Sequence, residues 1–314
     1  MKNILLTTTA LAMTAGAAAA GEITLSAGGN MGLKFADGSD TESHMEANFT
    51  VGGSLETDNG LTVSMSSAIT SSDGSGPSDN DHSVSVSGAF GKLSMGGAVS
   101  EADAIGGMAD LGFDGLGVDD IVDSLDGIVA HNVNYSTNMG AVALGLSTDM
   151  GGNSGAIGIK YNLGGLTLGV GHAEHGSGYT KPNVVATQGV ALAAGGAVTG
   201  TVDVTGTATA DTSKNDSSVT NATISGSMGN ISFQASTSTQ DFDAVNLPDI
   251  TTFGVSASFS MDALTITLMA SDSDAGTDAA GVGFAYSLGG GASIKGAVAD
   301  VNGTSKGDLG LTFS

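Results

Sequence analysis

The chain has 314 residues, 51 of them glycine, and contains no cysteine, tryptophan or arginine. Its 32 acidic residues stand against eight lysines, a formal net charge of −24. That balance excludes nucleic-acid partners, which need Lys and Arg to displace counterions from phosphate; it also excludes arginine clamps on anionic substrates and any disulfide framework.

Residues 1–20 read as a signal peptide, with Lys2 as the positive start, Ile4 to Ala17 as the apolar core and Ala18-Ala19-Ala20 as the cleavage site. Residues 21–314 then form one unit with no break in composition. No later stretch approaches the ~18 consecutive apolar residues of a membrane helix, so any crossing of a bilayer is made by strands. The abundance of Gly, Ser, Thr and Ala resembles low complexity, but strict alternation of apolar and polar residues argues against disorder.

Sixteen strands are predicted. The first, Glu22 to Phe35, places Ile23, Leu25, Ala27, Met31, Leu33 and Phe35 on one face and Thr24, Ser26, Asn30 and Lys34 on the other. The second carries Met45, Phe49, Val51 and Leu55 and turns at Asp58-Asn59-Gly60, a strong two-residue hairpin signal. The third to fifth follow through Leu61–Ile69, Val84–Phe90 and Leu93–Val99. After the long segment Glu101–Asn132 come two short strands (Val133, Tyr135; Val142, Leu144, Leu146). Four hairpins then flank Gly164-Gly165, Gly229-Asn230, Asp262 and Gly289-Gly290-Gly291. Lys181–Ser217 reads as one long loop or as a loop holding an extra hairpin at Val198–Ala210. In the last strand Leu309, Leu311 and Phe313 alternate with Asp308, Gly310 and Thr312, which predicts that first and last strands pair and close the sheet.

The connections divide into short Gly/Asn turns and long acidic loops in strict alternation, the asymmetry of an outer-membrane barrel. Phe90, Tyr161, Phe259, Tyr286 and Phe313 all lie near short turns or the last strand's end, as an interfacial ring would. Lys34, Lys92, Lys160 and Lys295 each fall opposite the apolar series, facing a lumen in a barrel or bulk water in a sandwich. The fold class is therefore all-β, a transmembrane antiparallel barrel, with a soluble sheet as the competing reading.

The segment Glu101–Asn132 interleaves Glu101, Asp103, Asp110, Asp114, Asp119, Asp120, Asp123 and Asp126 with large aliphatics and has no lysine. Packed inside a barrel, its aliphatics (Leu111, Phe113 and Leu116 among them) would lie on the wall and its carboxylates would line the channel, concentrating cations and repelling anions. The competing reading is an acidic surface loop without influence on conduction.

Two runs carry a resemblance. Val84-Ser-Val-Ser-Gly-Ala-Phe-Gly-Lys-Leu-Ser-Met-Gly-Gly-Ala, followed by Glu101-Ala-Asp, is similar to the general porins of alphaproteobacteria. So is Tyr286-Ser-Leu-Gly-Gly-Gly-Ala-Ser-Ile-Lys-Gly-Ala-Val-Ala-Asp. The resemblance implies a sixteen-stranded barrel in the bacterial outer membrane, among its lipid and lipopolysaccharide. It implies a homotrimer whose third loop folds inward and which passes small hydrophilic solutes and ions by diffusion. Two departures stand out: family pores set arginines opposite the acidic loop, and family chains end on an aromatic residue, whereas here Phe313 is followed by Ser314.

The expected pore wall comprises Asn30, Lys34, Glu46, Asn48, Lys160 and Lys295, and cation preference is expected because only lysine opposes the loop acids. Asp119, Asp120 and Asp123 lack EF-hand spacing but form a weak calcium candidate; no other cofactor is expected. His44, His82, His131, His172 and His175 have no zinc-ligand spacing, and no Gly-x-Ser-x-Gly elbow with partners points to an enzyme. The alternative function is an exported, calcium-cross-linked structural β-protein of the surface-layer or adhesin type.

Overall fold

The structure is a computed structural model that describes residues 21–73, 78–97, 105, 107–123, 131–175, 217–242 and 248–314. Sixteen antiparallel strands form one closed barrel, each paired with its sequence neighbours and the first paired with the last. They are β1 (Glu22–Ala36), β2 (Glu42–Glu56), β3 (Thr62–Ser72), β4 (Ser78–Gly88), β5 (Gly91–Gly96), β6 (Val133–Met139), β7 (Val142–Thr148) and β8 (Ser154–Asn162). The second half comprises β9 (Leu166–His175), β10 (Ser217–Met228), β11 (Ile231–Phe242), β12 (Ile250–Met261), β13 (Leu264–Ser273), β14 (Thr277–Gly289), β15 (Ala292–Val301) and β16 (Thr304–Phe313). Closure runs from Gly29 opposite Phe313 to Ala36 opposite Lys306, with Lys34 facing Asp308 across the seam.

Burial is inverted relative to a soluble sheet. The large apolar residues of the strands point outward and stay exposed, Leu25 at 73% and Leu268 at 59%. Phe90, Tyr161, Phe259, Tyr286 and Phe313 lie between 44% and 47% exposed, which rules out core aromatics of a sandwich. The closed barrel satisfies every strand edge, the requirement for a sheet in hydrocarbon. Its core lies inside the lumen instead. Met108, Leu111, Leu116, Val118, Ile121 and Val122 of the segment after β5 pack against Met269, Ala279, Ala297, Ala299 and Val301 of the wall.

The turns correct two expectations. Asp58-Asn59-Gly60 does not make a two-residue hairpin turn. β2 ends at Glu56, Thr57 N donates to Leu61 O at 2.8 Å, Gly60 N donates to Thr57 O at 2.9 Å, and of these residues only Gly60 has positive φ (74°). The long-loop end of the barrel is also less uniform than strict alternation predicts. β15 and β16 are joined by Asn302 and Gly303 alone, and β13 and β14 by residues 274–276. The Asp262 turn does adopt positive φ (50°). The leader, the hairpin at 198–210 and the rest of 181–216 lie outside the described residues, while Ser217 opens β10.

Candidate functional site

Residues 107–123 run inside the barrel and end in a short helix, α1 (Asp120–Asp123), that touches β11 to β14. What lets a chain lie against the inner wall is the absence of side chains there. Phe113 sits over Gly32 and Gly310, which face each other across the β1–β16 seam. A Cβ on Gly32 would come 2.7 Å from Phe113 Cζ, and one on Gly310 would come 2.6 Å from Phe113 Cγ. Leu111 occupies the same kind of seat over Gly281 and Gly283 of β14. Each buried side chain of this size contributes roughly 1.5–3 kcal/mol of apolar transfer.

Asp308 of β16 fixes the segment's polar backbone. It is buried, and its Oδ2 accepts from Phe113 N at 2.9 Å and Asp114 N at 3.3 Å, while Oδ1 accepts from Ala297 N at 2.9 Å. Gly112 passes over this carboxylate with φ 99°, and any Cβ there would strike it. Only glycine meets both conditions.

The held segment presents Asp114 to the wall. Lys34 Nζ donates to Asp114 Oδ2 at 2.5 Å. His44 of β2 stands between two carboxylates: Nδ1 is 2.7 Å from Asp73 Oδ2, and Nε2 is 2.9 Å from Asp114 Oδ1, close but off hydrogen-bond alignment. The His44 and Phe113 rings tilt against each other at 6.0 Å. Asp73 also accepts from Met45 N at 2.9 Å, and this bond leads the causes that hold its carboxyl below the ordinary value. Between segment and wall lies a cavity of about 350 Å³ flanked by Lys34, Glu42, Asp120 and Lys306.

Two loop acids are pressed toward the neutral form. Burial pushes Asp119 up to about 7, reinforced by a hydrogen bond with the Asp110 side chain and by the nearby Asp110 and Asp120 charges. Asp123 rises to about 6, again chiefly by burial, although its Oδ1 accepts from Met108 N at 3.1 Å. Two carboxyls in contact cannot both ionise cheaply, so one holds a proton.

The structure thus brings Asp110, Asp114, Asp119, Asp120 and Asp123 together on the inward segment; Glu101, Asp103 and Asp126 lie outside the described residues. Asn30, Lys34, Glu46 and Asn48 share the lumen face of β1 and β2, with Asn48 Nδ2 donating to Glu46 Oε1 at 2.7 Å. Lys160 pairs with Gly169, which meets the segment's Ile105, and Lys295 pairs with Gly310, so both also face inward. Among the described residues, no three acidic or histidine side chains are grouped as a metal cage requires. Sequence reasoning missed His44, Asp73 and Asp308 as members of the site. His44 was detectable, since it alternates in phase with Glu46 on the polar face of β2.

A family model described as Gram-negative porin matches residues 7–306. Among solved structures, a mutant of Rhodopseudomonas blastica porin is 17% identical with a TM-score of 0.60, over 93% of this chain and 99% of that one. In-vitro folded OmpT, an outer membrane protein of Vibrio cholerae described in its trimer form, is 14% identical with a TM-score of 0.65, over the same shares. At such identities these structures bear on the fold alone. No curated protein matches.

Proposed function

The chain belongs to the Gram-negative porin family, and from that premise we propose that it forms a water-filled outer-membrane pore that passes cations in preference to anions. The channel and the outer-membrane location follow from the family. The cation preference is our reading, and one observation supports it above others: the segment folded into the lumen presents Asp110, Asp114 and Asp120, beside Asp119 and Asp123 that burial presses toward the neutral form, and holds no basic residue among its described residues. In a confined aqueous passage, fixed carboxylates raise the local cation concentration and exclude anions. The chain has no arginine to oppose them, and Lys34 is already paired with Asp114. The constriction therefore lies between the inward segment and the β1–β2 wall, with Asp110, Asp114 and Asp120 on one side and Lys34, Glu42 and Glu46 on the other.

Passage is passive and hydrophilic, without catalysis. We further propose a homotrimer after a leader of residues 1–20 is removed. The trimeric OmpT neighbour supports the assembly, as do the short strands β5 to β7, whose outward Leu93, Met95 and Leu146 remain exposed. A surface-layer role gives no reason for an apolar belt around a closed barrel. Reconstitution of the purified protein in a planar bilayer under a potassium chloride gradient tests the reading. Current with a reversal potential on the potassium side is expected, and a chloride-selective current would refute the preference.

A further inference from the structure

We propose that the lumen wall beneath the inward segment, on β9 to β12, carries a subsite for uncharged polyhydroxylated solutes of the sugar and sugar-alcohol class. The proposal rests on the porin reading above and adds a second solute class to it.

Directly opposed residues of an antiparallel pair share a face. Gly169, Gly254 and Gly281 meet the inward segment and so mark the lumen side of β9, β12 and β14. Following the pairing outward from these marks, the described lumen-facing positions of β9 to β14 hold no Asp, Glu or Lys. The acids of these strands, Glu174, Asp241, Asp272 and Asp278, all fall on the outer face. The β9–β14 wall is thus neutral, while lumen charge lies on β1, β2, β16 and the inward segment and on the flanking Lys92 of β5, Lys160 of β8 and Lys295 of β15.

That neutral wall is indented. A cavity of about 490 Å³ opens between Ala109 of the inward segment and the Asn162–Gly165 turn. This volume falls within the ~300–1,000 Å³ of small-molecule sites. Its walls are hydroxyl-rich. Gln234 is held in place, with Nε2 donating to Gly107 O at 2.6 Å and Ser236 Oγ at 3.1 Å, and Ser258 Oγ pairs with Thr267 Oγ1 at 2.8 Å. The hydroxyls of Thr167, Ser225, Ser227, Ser232 and Ser256 line the same cavity and have no partner among the described residues.

A hydroxyl both donates and accepts, so a row of unpaired ones can replace the water around a polyol in many orientations. A charged solute gains nothing comparable there, because it would shed water without meeting an opposite charge. The pore then has two tracks: a charged one past Lys34 and Asp114, and a neutral one past Ser225, Ser232 and Ser256. Weak retention at the second raises the local concentration of a polyol and makes its flux saturable.

The test compares mannitol with potassium chloride on the full-length protein. Mannitol influx into liposomes is followed by swelling, and ion conductance is measured in planar bilayers, for the parent and for the combined Ser225→Ala, Ser232→Ala and Ser256→Ala variant. Native migration on gels before and after heating confirms that the variant folds. We expect parent mannitol influx to saturate with concentration. In the variant we expect that saturation to be lost and influx at low concentration to fall about threefold, with ion conductance unchanged. Ser256→Leu, which fills the cavity instead of stripping it, should slow mannitol more than potassium. Linear, unsaturated influx in the parent, or an unchanged ratio of mannitol influx to conductance in both variants, would overturn the subsite and leave the pore intact. Absence of any conductance from the parent would defeat the porin reading itself and the subsite with it.

Discussion

Replacing Asp308 by alanine should release the inward segment while leaving the barrel closed. The carboxylate is 3% exposed and serves three backbone N–H groups, of which Phe113 N and Asp114 N belong to the segment. Leaving a buried donor unsatisfied costs about 1–3 kcal/mol. Taking the lower end for both segment amides gives about 2 kcal/mol, and since 1.4 kcal/mol is tenfold, local opening should become about thirty-fold more frequent. The seats of Leu111 and Phe113 over wall glycines remain, so the segment loosens without leaving. Hydrogen exchange of the detergent-solubilised protein reads this directly. The Phe113 and Asp114 amides should lose about thirty-fold in protection, while amides in β13 and β14 keep theirs. Single-channel current should become noisier in parallel. Unchanged exchange at Phe113 and Asp114 would show that the apolar seats alone hold the segment and that the role given to Asp308 is wrong.

Three further outcomes follow from the same geometry. Asp114→Asn should lower the potassium-to-chloride permeability ratio by roughly twofold and Lys34→Ala should raise it, because each removes one member of a paired set at the constriction; reversal potentials of the two variants check the opposite signs. Leu268→Lys, on the outer face of β13, should cost ~2–4 kcal/mol and impair folding into vesicles, whereas Thr267→Lys, one residue away on the lumen face, should fold normally. The inward segment should also respond to pH. Asp119 and Asp123 have folded values raised to about 7 and about 6, so their contribution to holding the segment is fully present below the unfolded value near 3.8 and is lost as pH rises through the folded values. Exchange protection in 107–123 should therefore decline from about pH 4 to about pH 7 after correction for the intrinsic exchange rate, and Asp119→Asn should flatten most of that decline.

The barrel was legible because a membrane strand writes itself with period two, and sixteen repeats of that pattern leave few other folds. Leu309, Leu311 and Phe313 announced their face as clearly as Ile23 and Leu25. Periodicity could not say which face was inside: Lys160 and Lys295 opposite the apolar series fit a lumen or bulk water equally well. Turn geometry was less legible, since Asp58-Asn59-Gly60 carries a hairpin signal that the flanking Thr57–Leu61 hydrogen bonds override. Of the site, the acidic segment was readable from its interleaved carboxylates and aliphatics. Its seat was not. Gly32, Gly281 and Gly310 look like the rest of a glycine-rich chain, and Asp308 lies 195 residues from the Phe113 amide it holds. A contact of that separation exists only after closure of the barrel, so no local pattern encodes it.

Under the proposed cation preference, carboxylates on the segment held against the wall govern the aqueous space inside this barrel. The zero-current potential of single channels in a tenfold potassium chloride gradient tests it most directly. The account predicts a potential whose sign marks potassium as the more permeant ion, reduced by Asp114→Asn. A potential of the opposite sign, or one indifferent to Asp114, would contradict it.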